Sequence, residues 1–154
     1  MFLLNSRIVY FLLSLNFICC NNNGESKAIS NIKITSYLTR VHHINNSNVK
    51  RFYLILYLDD CKICNTNREQ MALSIISNPK VTAIVDNCTN PAAELYLSNS
   101  NTVLCDKNSN LSRYGLVFEK SIFFHIEGSQ IIDTLSLTPQ NLSRIKNLLT
   151  SSTE

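Results

Sequence analysis

Charged residues are scarce in this chain, and its basic residues are scattered rather than clustered. Only 16% of the 154 residues are charged, and the formal net charge is +3. A nucleic-acid-binding protein needs Lys and Arg concentrated on one face, and this sequence has no such concentration. Hydrophobic residues make up 45% of the chain, which is enough for one packed domain and excludes an intrinsically disordered protein.

The sequence also has no apolar run long enough to be a comfortable transmembrane helix. Its most hydrophobic stretch, IVYFLLSLNFI, follows the single positive charge of Arg7 and ends at Cys19-Cys20. A positive charge followed by a short apolar segment is typical of a signal peptide. The mature chain is therefore expected outside the cytoplasm, where disulfides persist.

The end of this segment resembles the lipobox of bacterial lipoproteins, in which a peptidase cuts before a cysteine that carries diacylglycerol. Cys20 is the favoured lipidation site because the residue before it, Cys19, is small; Cys19 itself is the alternative. We expect a lipoprotein signal peptide over 1–19, a flexible tether over 20–30 and a folded domain over 31–150. The domain would be lipid-anchored to a bacterial membrane in the cell envelope and face the periplasm or the exterior. The alternative is an ordinary secretory signal with a soluble product.

The rest of the chain is organised around a strand that leads into a pair of cysteines. Phe52–Leu58 is an uncharged apolar run, as in a strand buried on both faces. Asp60 predicts a helix N-cap, and the helix opens with the motif CKIC, in which Cys61 and Cys64 are spaced i and i+3. This spacing lets the two sulfurs meet, and a helix N-terminus stabilises a thiolate. The pattern indicates a redox-active pair that can form a Cys61–Cys64 disulfide.

The charges beside this pair act in opposite directions. Lys62 favours the thiolate, whereas the carboxylates of Asp59 and Asp60 disfavour it. A structural disulfide and a metal site are the alternatives to redox chemistry. Structural zinc needs four ligands, usually including a second closely spaced pair, and this sequence has no second closely spaced pair. We therefore expect neither a metal nor another cofactor.

The hydrophobic pattern predicts an α/β fold with a mixed sheet. A strand, a helix and a strand in succession imply a parallel pair joined by a right-handed crossover. The predicted elements are an edge strand over Asn31–Thr39, the central strand, the cysteine helix ending before Pro79, a strand over Val81–Val85, a short helix from Asn90-Pro91, an extended segment over Thr102–Cys105, helical turns over Leu111–Gly115, a hairpin around Glu127-Gly128-Ser129 and a last helix from Thr138-Pro139.

Three of these segments resemble a thioredoxin fold, closest to the membrane-anchored thiol–disulfide oxidoreductases related to TlpA and the redoxins. They are the strand followed by CKIC, the segment TVLCDKNSNLSRYGL and the hairpin SIFFHIEGSQIID. The resemblance implies a thioredoxin-like three-layer sandwich, with a central mixed β-sheet and flanking helices. It also implies that Cys61 is the attacking thiolate and Cys64 the resolving thiol. Protein thiols or disulfides would be the substrates, with a membrane electron donor as redox partner.

The chain departs from that family at three places. The cis-proline that begins the family's hairpin corresponds to Lys120. The aromatic residue usual before the first cysteine is Asp60, and the Gly-Pro often found between the cysteines is Lys62-Ile63. These departures leave catalysis open. The competing hypothesis is a non-catalytic thioredoxin-fold lipoprotein that serves as a binding or assembly module.

Cys88 and Cys105 are expected to be neighbours across two parallel strands. They could form a second disulfide or remain as two buried free thiols, which behave as small apolar residues. The sequence slightly favours free or structural thiols over a catalytic pair.

The histidines and two further residues give weaker signals. His42 and His43 are expected to be solvated loop residues, and His125 a core or edge histidine. Asp106 and Tyr114 match positions of the resembled family, but turn capping and core packing would explain them equally well.

Overall fold

The computed structural model describes residues 31–44, 50–58, 62–100 and 102–151. The side chains of 62–65 are excluded from this description. The predicted signal peptide and tether, with Cys19 and Cys20, lie outside the described residues, as do Asp60 and Cys61.

Six helical segments and five strands alternate along the described chain. In order they are α1 (Asn31–His42), β1 (Lys50–Leu56), α2 (Lys62–Ile76), β2 (Val81–Asp86), a 3-10 turn (Pro91–Ala93) running into α3 (Glu94–Asn99), β3 (Val103–Asp106), α4 (Asn110–Arg113), β4 (Ile122–Glu127), β5 (Gln130–Ser136) and α5 (Pro139–Thr150).

The five strands form one mixed sheet in the order β3-β2-β1-β4-β5. β1, β2 and β3 are parallel, and the β4–β5 hairpin adds two antiparallel strands beside β1. The parallel strands finish at Leu56, Asp86 and Asp106, and we call this the carboxyl end of the sheet. The opposite, amino end contains Lys50 and the hairpin turn at Gly128. The predicted α/β class with a mixed sheet is thus confirmed.

Helices cover both faces of the sheet and form two cores. One core joins the sheet to α2, α3 and α5, and the other joins it to α1 and α4. β1 contributes to both, because Phe52 and Leu54 face the first core while Tyr53 and Ile55 face the second. None of these four side chains is more than 3% exposed, so the prediction of a strand buried on both faces is confirmed.

Two proline-led helix starts are also as the sequence predicts. Asn90 Oδ1 accepts a 3.0 Å hydrogen bond from the Ala92 amide, with Pro91 in the first turn. Thr138 caps α5 in the same way through the Asn141 amide at 3.3 Å. In each case the proline occupies a position whose missing N–H would have had no partner within the helix.

The edge strand predicted over Asn31–Thr39 is wrong, because this segment is the first part of α1. The alternation of Ile32 and Ile34 suggested a period of two, but Ile32 is 76% exposed. The buried residues of α1 are Ile34, Tyr37 and Leu38, which have the i, i+3, i+4 spacing of a helix face. Tyr37 is the core residue that the strand interpretation overlooked.

Candidate functional site

The carboxyl end of the sheet is where the chain leaves β1 toward the cysteine motif. Tyr57, just beyond β1, donates its backbone N–H to Ser121 Oγ at 3.0 Å. The backbone oxygen of Ser121 in turn accepts a 2.8 Å hydrogen bond from the Leu137 amide, just beyond β5. Ser121 therefore joins the exit of β1, the start of the hairpin and the approach to α5.

The two cysteines of the motif stand differently with respect to the described residues. Cys61 lies outside them, and Cys64 lies in the first turn of α2 without a described side chain. What is defined is the support of α2: Ala72, Ile75 and Ile76 are buried in the first core. The helix that carries Cys64 is therefore held to the sheet by its second half.

A cleft of about 300 Å³ runs between α2 and the loop at the start of the hairpin. Asn67, Arg68 and Met71 form its α2 wall. They follow Cys64 at i+3, i+4 and i+7, so all four residues lie on one face of the helix. The remaining lining residues are Lys120, Ser121, Leu137, Thr138, Pro139 and Gln140.

The chemistry of this cleft is mixed. Arg68 and Lys120 carry positive charge, and Met71 and Leu137 offer apolar surface. Such a lining suits an extended peptide that combines apolar and acidic side chains. Lys120, at the position the sequence comparison assigned to the cis-proline, is exposed, and the described part of the chain contains no cis peptide bond.

On the other face of the same end, Asp106 is completely buried and serves as a cap. Its Oδ1 accepts hydrogen bonds of 2.9 Å from the backbone N–H and the side-chain amide of Asn110, and its Oδ2 accepts one from the Leu111 amide. These contacts fix the turn between β3 and α4. Tyr114 packs edge-on against Tyr37, with ring centroids 5.8 Å apart. The capping and packing roles of Asp106 and Tyr114 are the ones the structure shows.

Tyr37 and His42 form a second polar pair near Asp106. Tyr37 Oη and His42 Nε2 are 2.9 Å apart. Burial raises the pKa of the Tyr37 hydroxyl, and the charges of Asp106 and Asp86 raise it further. Burial lowers the pKa of His42, while Asp106 opposes that shift. His42 is thus a half-buried helix-end residue, and its assignment to a solvated loop is wrong; only His43 is exposed as expected.

Asp86 is the direct cross-strand neighbour of Asp106. Desolvation raises the pKa of Asp86, and the like charge of Asp106 raises it further. The two carboxylates are capped and crowded rather than arranged around a ligand. Within the described part of the chain, no group of three or more His, Cys, Asp or Glu side chains could hold a metal ion.

His125 is a buried histidine of β4, as the sequence predicts, with 3% of its surface exposed. Its Nε2 lies 3.1 Å from Glu127 Oε1, and its Nδ1 lies 3.9 Å from Asp133 Oδ2. Arg144 Nη2 binds the other oxygen of Asp133 at 2.6 Å. Burial lowers the pKa of His125, Lys50 lowers it further, and the two carboxylates oppose this. This network lies toward the amino end, away from the cysteine motif.

Cys88 and Cys105 form a disulfide with a Cα–Cα distance of 5.6 Å. The preference of the sequence analysis for free or structural thiols is corrected accordingly: these residues are paired. Cys105 lies in β3 beside Val85, and Cys88 follows β2 by two residues. The parallel neighbours that the sequence predicted therefore bring the two sulfurs together.

Ser121, Tyr37 and Asp86 are site residues that the sequence analysis did not identify. Serine at the start of a strand and tyrosine on a helix face are too common to attract attention. Their partners lie far away in sequence, as with the separation of 64 residues between Tyr57 and Ser121. Only the folded register brings them together.

Comparison with known proteins gives no relative from which to transfer a function. No protein-family model matches the sequence, and the curated proteins contain no match to it. Among the helices of the described residues, none is both long enough and apolar enough to cross a membrane.

Proposed function

We propose that this protein is a thiol–disulfide oxidoreductase with a thioredoxin-like fold, tethered to a bacterial membrane by a lipid at Cys20. It acts on protein thiols or disulfides outside the cytoplasm, with a membrane electron donor as its redox partner. The observation that carries the proposal is the shared helix face of α2: Cys64 stands one turn before Arg68 on the stripe that lines the cleft. A substrate lying in this cleft would be next to the cysteine motif.

The order of the strands supports the same proposal. The central strand β1 leads into the CKIC helix, and ligands of α/β proteins bind beyond the carboxyl ends of parallel strands. The hydrogen bond from Tyr57 to Ser121 holds the chain entering the motif against the loop that begins the hairpin. The motif is therefore bordered by rigid elements on the sheet side.

The reaction is a two-step exchange. The Cys61 thiolate attacks one sulfur of a substrate disulfide, so that a mixed disulfide forms and the other substrate sulfur leaves as a thiolate that takes up a proton. Cys64 then loses its proton and attacks Cys61 Sγ. The second substrate thiol is released, and the Cys61–Cys64 disulfide remains. Two electrons pass to the substrate, and the membrane donor returns two electrons and two protons. Oxidation of a substrate dithiol is the same sequence in reverse.

The second candidate is a non-catalytic module that binds peptides in the same cleft. The observation favouring it is Lys120, whose exposed side chain stands where the resembled family has proline. In that case the cysteine pair would be a structural disulfide.

The deciding experiment is the reduction potential of the Cys61–Cys64 pair in the full chain, together with an insulin-reduction assay. Cys61→Ser is the test variant, and Cys88→Ala/Cys105→Ala is the matched control that removes the other disulfide. A potential between roughly −120 and −270 mV, with turnover lost only in Cys61→Ser, supports the enzyme. A potential below about −300 mV without turnover would reject it and leave the binding module.

A further inference from the structure

The amino end of the sheet contains a second cleft, which the proposed redox chemistry does not use. It has a volume of about 370 Å³ and is lined by Lys50, Arg51, Phe52, Lys80 and Thr82. Three of these five residues are basic. β1 runs from this cleft at Lys50 to the opposite end at Leu56, so the basic cleft and the cysteine motif lie at opposite ends of the domain.

Carboxylates neutralise the charge of this basic cleft only in part. Lys50 Nζ lies 3.6 Å from Glu127 Oε1, but that oxygen also lies 3.1 Å from His125 Nε2. Lys80 Nζ donates a 3.4 Å hydrogen bond to the backbone oxygen of Leu149, a partner without formal charge. Of the described residues that line the cleft, none is acidic. The cleft therefore presents a positive potential to the surface.

The chain that precedes the domain joins it at this same end. Asn31, the first residue of α1, accepts a 2.9 Å hydrogen bond at Oδ1 from the Ile131 amide. Ile131 pairs with Ile126, and Ile126 pairs with Arg51. Neighbouring strands are spaced about 4.8 Å apart, so Asn31 enters the fold roughly 10 Å from Arg51 of the basic cleft.

We propose that the amino end of the domain docks on a membrane of anionic phospholipids, with a lipid phosphate in the basic cleft. The proposal rests on the lipid anchor proposed above, because residues 21–30 span at most about 35 Å between Cys20 and α1. A tether of this length keeps the basic cleft within reach of the bilayer surface. Anionic headgroups strengthen binding roughly fivefold for each nearby Lys or Arg.

Docking in this way orients the whole domain. With Lys50 and Lys80 against the headgroups, the carboxyl end and its cleft face away from the bilayer. The cysteine motif would then be presented to proteins in the surrounding compartment rather than to the lipid surface. Neutral membranes would hold the domain by its tether alone and leave its orientation free.

The absence of tryptophan from the chain makes a clean fluorescence test possible. Ser129→Trp places one reporter at the exposed hairpin turn of the amino end, and Gln140→Trp places a matched reporter at the carboxyl end. The lipidated full chain carrying either reporter is reconstituted in phosphatidylcholine vesicles, with or without phosphatidylglycerol, that contain a headgroup spin-labelled quencher. We expect phosphatidylglycerol to increase quenching of the Ser129→Trp reporter only. Added salt should reverse the increase because it screens surface charge.

Charge variants then connect this effect to the basic cleft. In the Ser129→Trp background, Lys50→Gln/Lys80→Gln should lower the ratio of docked to undocked protein roughly twentyfold. Lys107→Gln/Lys120→Gln removes the same charge from exposed lysines at the carboxyl end and should leave the ratio unchanged. Circular dichroism confirms that both variants are folded.

The outcomes separate this proposal from the anchor on which it rests. Failure of the full chain to float with neutral vesicles would reject the anchor. Flotation with quenching that is independent of lipid charge would reject the docking. Equal losses in the two double variants would also reject docking through the basic cleft. Binding of inorganic phosphate at Lys50 and Lys80 without any effect of lipid charge would assign the cleft to a free anion instead.

Discussion

Tyr57 and Ser121 are 64 residues apart in sequence, yet the Tyr57 amide donates a 3.0 Å hydrogen bond to Ser121 Oγ. This contact fixes the last ordered step of β1 before the cysteine motif. It is made by a side chain, so substitution can remove it without altering the backbone of either partner.

We predict that Ser121→Ala lowers the free energy of unfolding by about 1 kcal/mol, the usual contribution of one hydrogen bond. Turnover should fall as well, because the chain entering the cysteine motif is held less firmly. Urea denaturation and the insulin-reduction assay measure the two effects. Ser129→Ala is the matched control, since Ser129 lies in an exposed turn. Equal effects of the two substitutions would show that the Tyr57 contact contributes nothing.

Removal of the disulfide by Cys88→Ala/Cys105→Ala should cost roughly 3 kcal/mol. The bond closes a loop with a sequence separation of 17, and a loop of that size restricts the unfolded chain by about this amount. Denaturation of the wild type with and without a reducing agent gives an independent value. A double variant as stable as the oxidised wild type would contradict the prediction.

Asp106→Asn should destabilise the protein by about 2–3 kcal/mol. The carboxylate is fully buried and accepts three hydrogen bonds at the start of α4, whereas an amide would turn an N–H₂ group toward one of those donors. Asp86→Asn is the matched control on the neighbouring strand. Burial and the charge of Asp106 raise the pKa of Asp86, so its ionised form is disfavoured in the folded protein. Neutralising Asp86 should therefore not lower stability at pH 7, and a loss equal to that of Asp106→Asn would contradict this.

Stability should decline as the pH falls below about 6.5, the ordinary pKa of histidine. Burial lowers the pKa of His125 in the folded state, so the unfolded chain binds the proton first. His125→Gln should remove part of this decline. The difference between the two proteins at pH 8, where the imidazole is neutral, measures lost packing alone. Parallel stability curves from pH 8 to pH 5 would refute the prediction.

Local signals predicted most of the fold. The hairpin follows from alternating apolar residues around Gly128, whose φ of 59° suits glycine. The starts of two helices follow from Asn90-Pro91 and Thr138-Pro139. The uncharged run of β1 predicted the central strand, and the order of elements predicted its parallel partner.

The failures came from signals that local sequence does not contain. At the start of α1, Ile32 and Ile34 suggested strand alternation, because nothing in the segment shows that Tyr37 and not Ile32 is buried. The pairing of Cys88 with Cys105 required the register between β2 and β3. His42 was misplaced because the end of α1 was not recognised, so its contact with the Tyr37 hydroxyl could not be anticipated.

The position of β1 has a consequence for how the protein opens. This strand is hydrogen-bonded to β2 on one side and to β4 on the other, and its residues from Phe52 to Leu56 are buried. Its amide protons should therefore exchange with deuterium only when the whole domain unfolds. The edge strands β3 and β5 should exchange sooner. The chain that enters the cysteine motif thus starts from the slowest-exchanging segment of the protein, so thiol exchange at the motif can proceed without loosening the sheet.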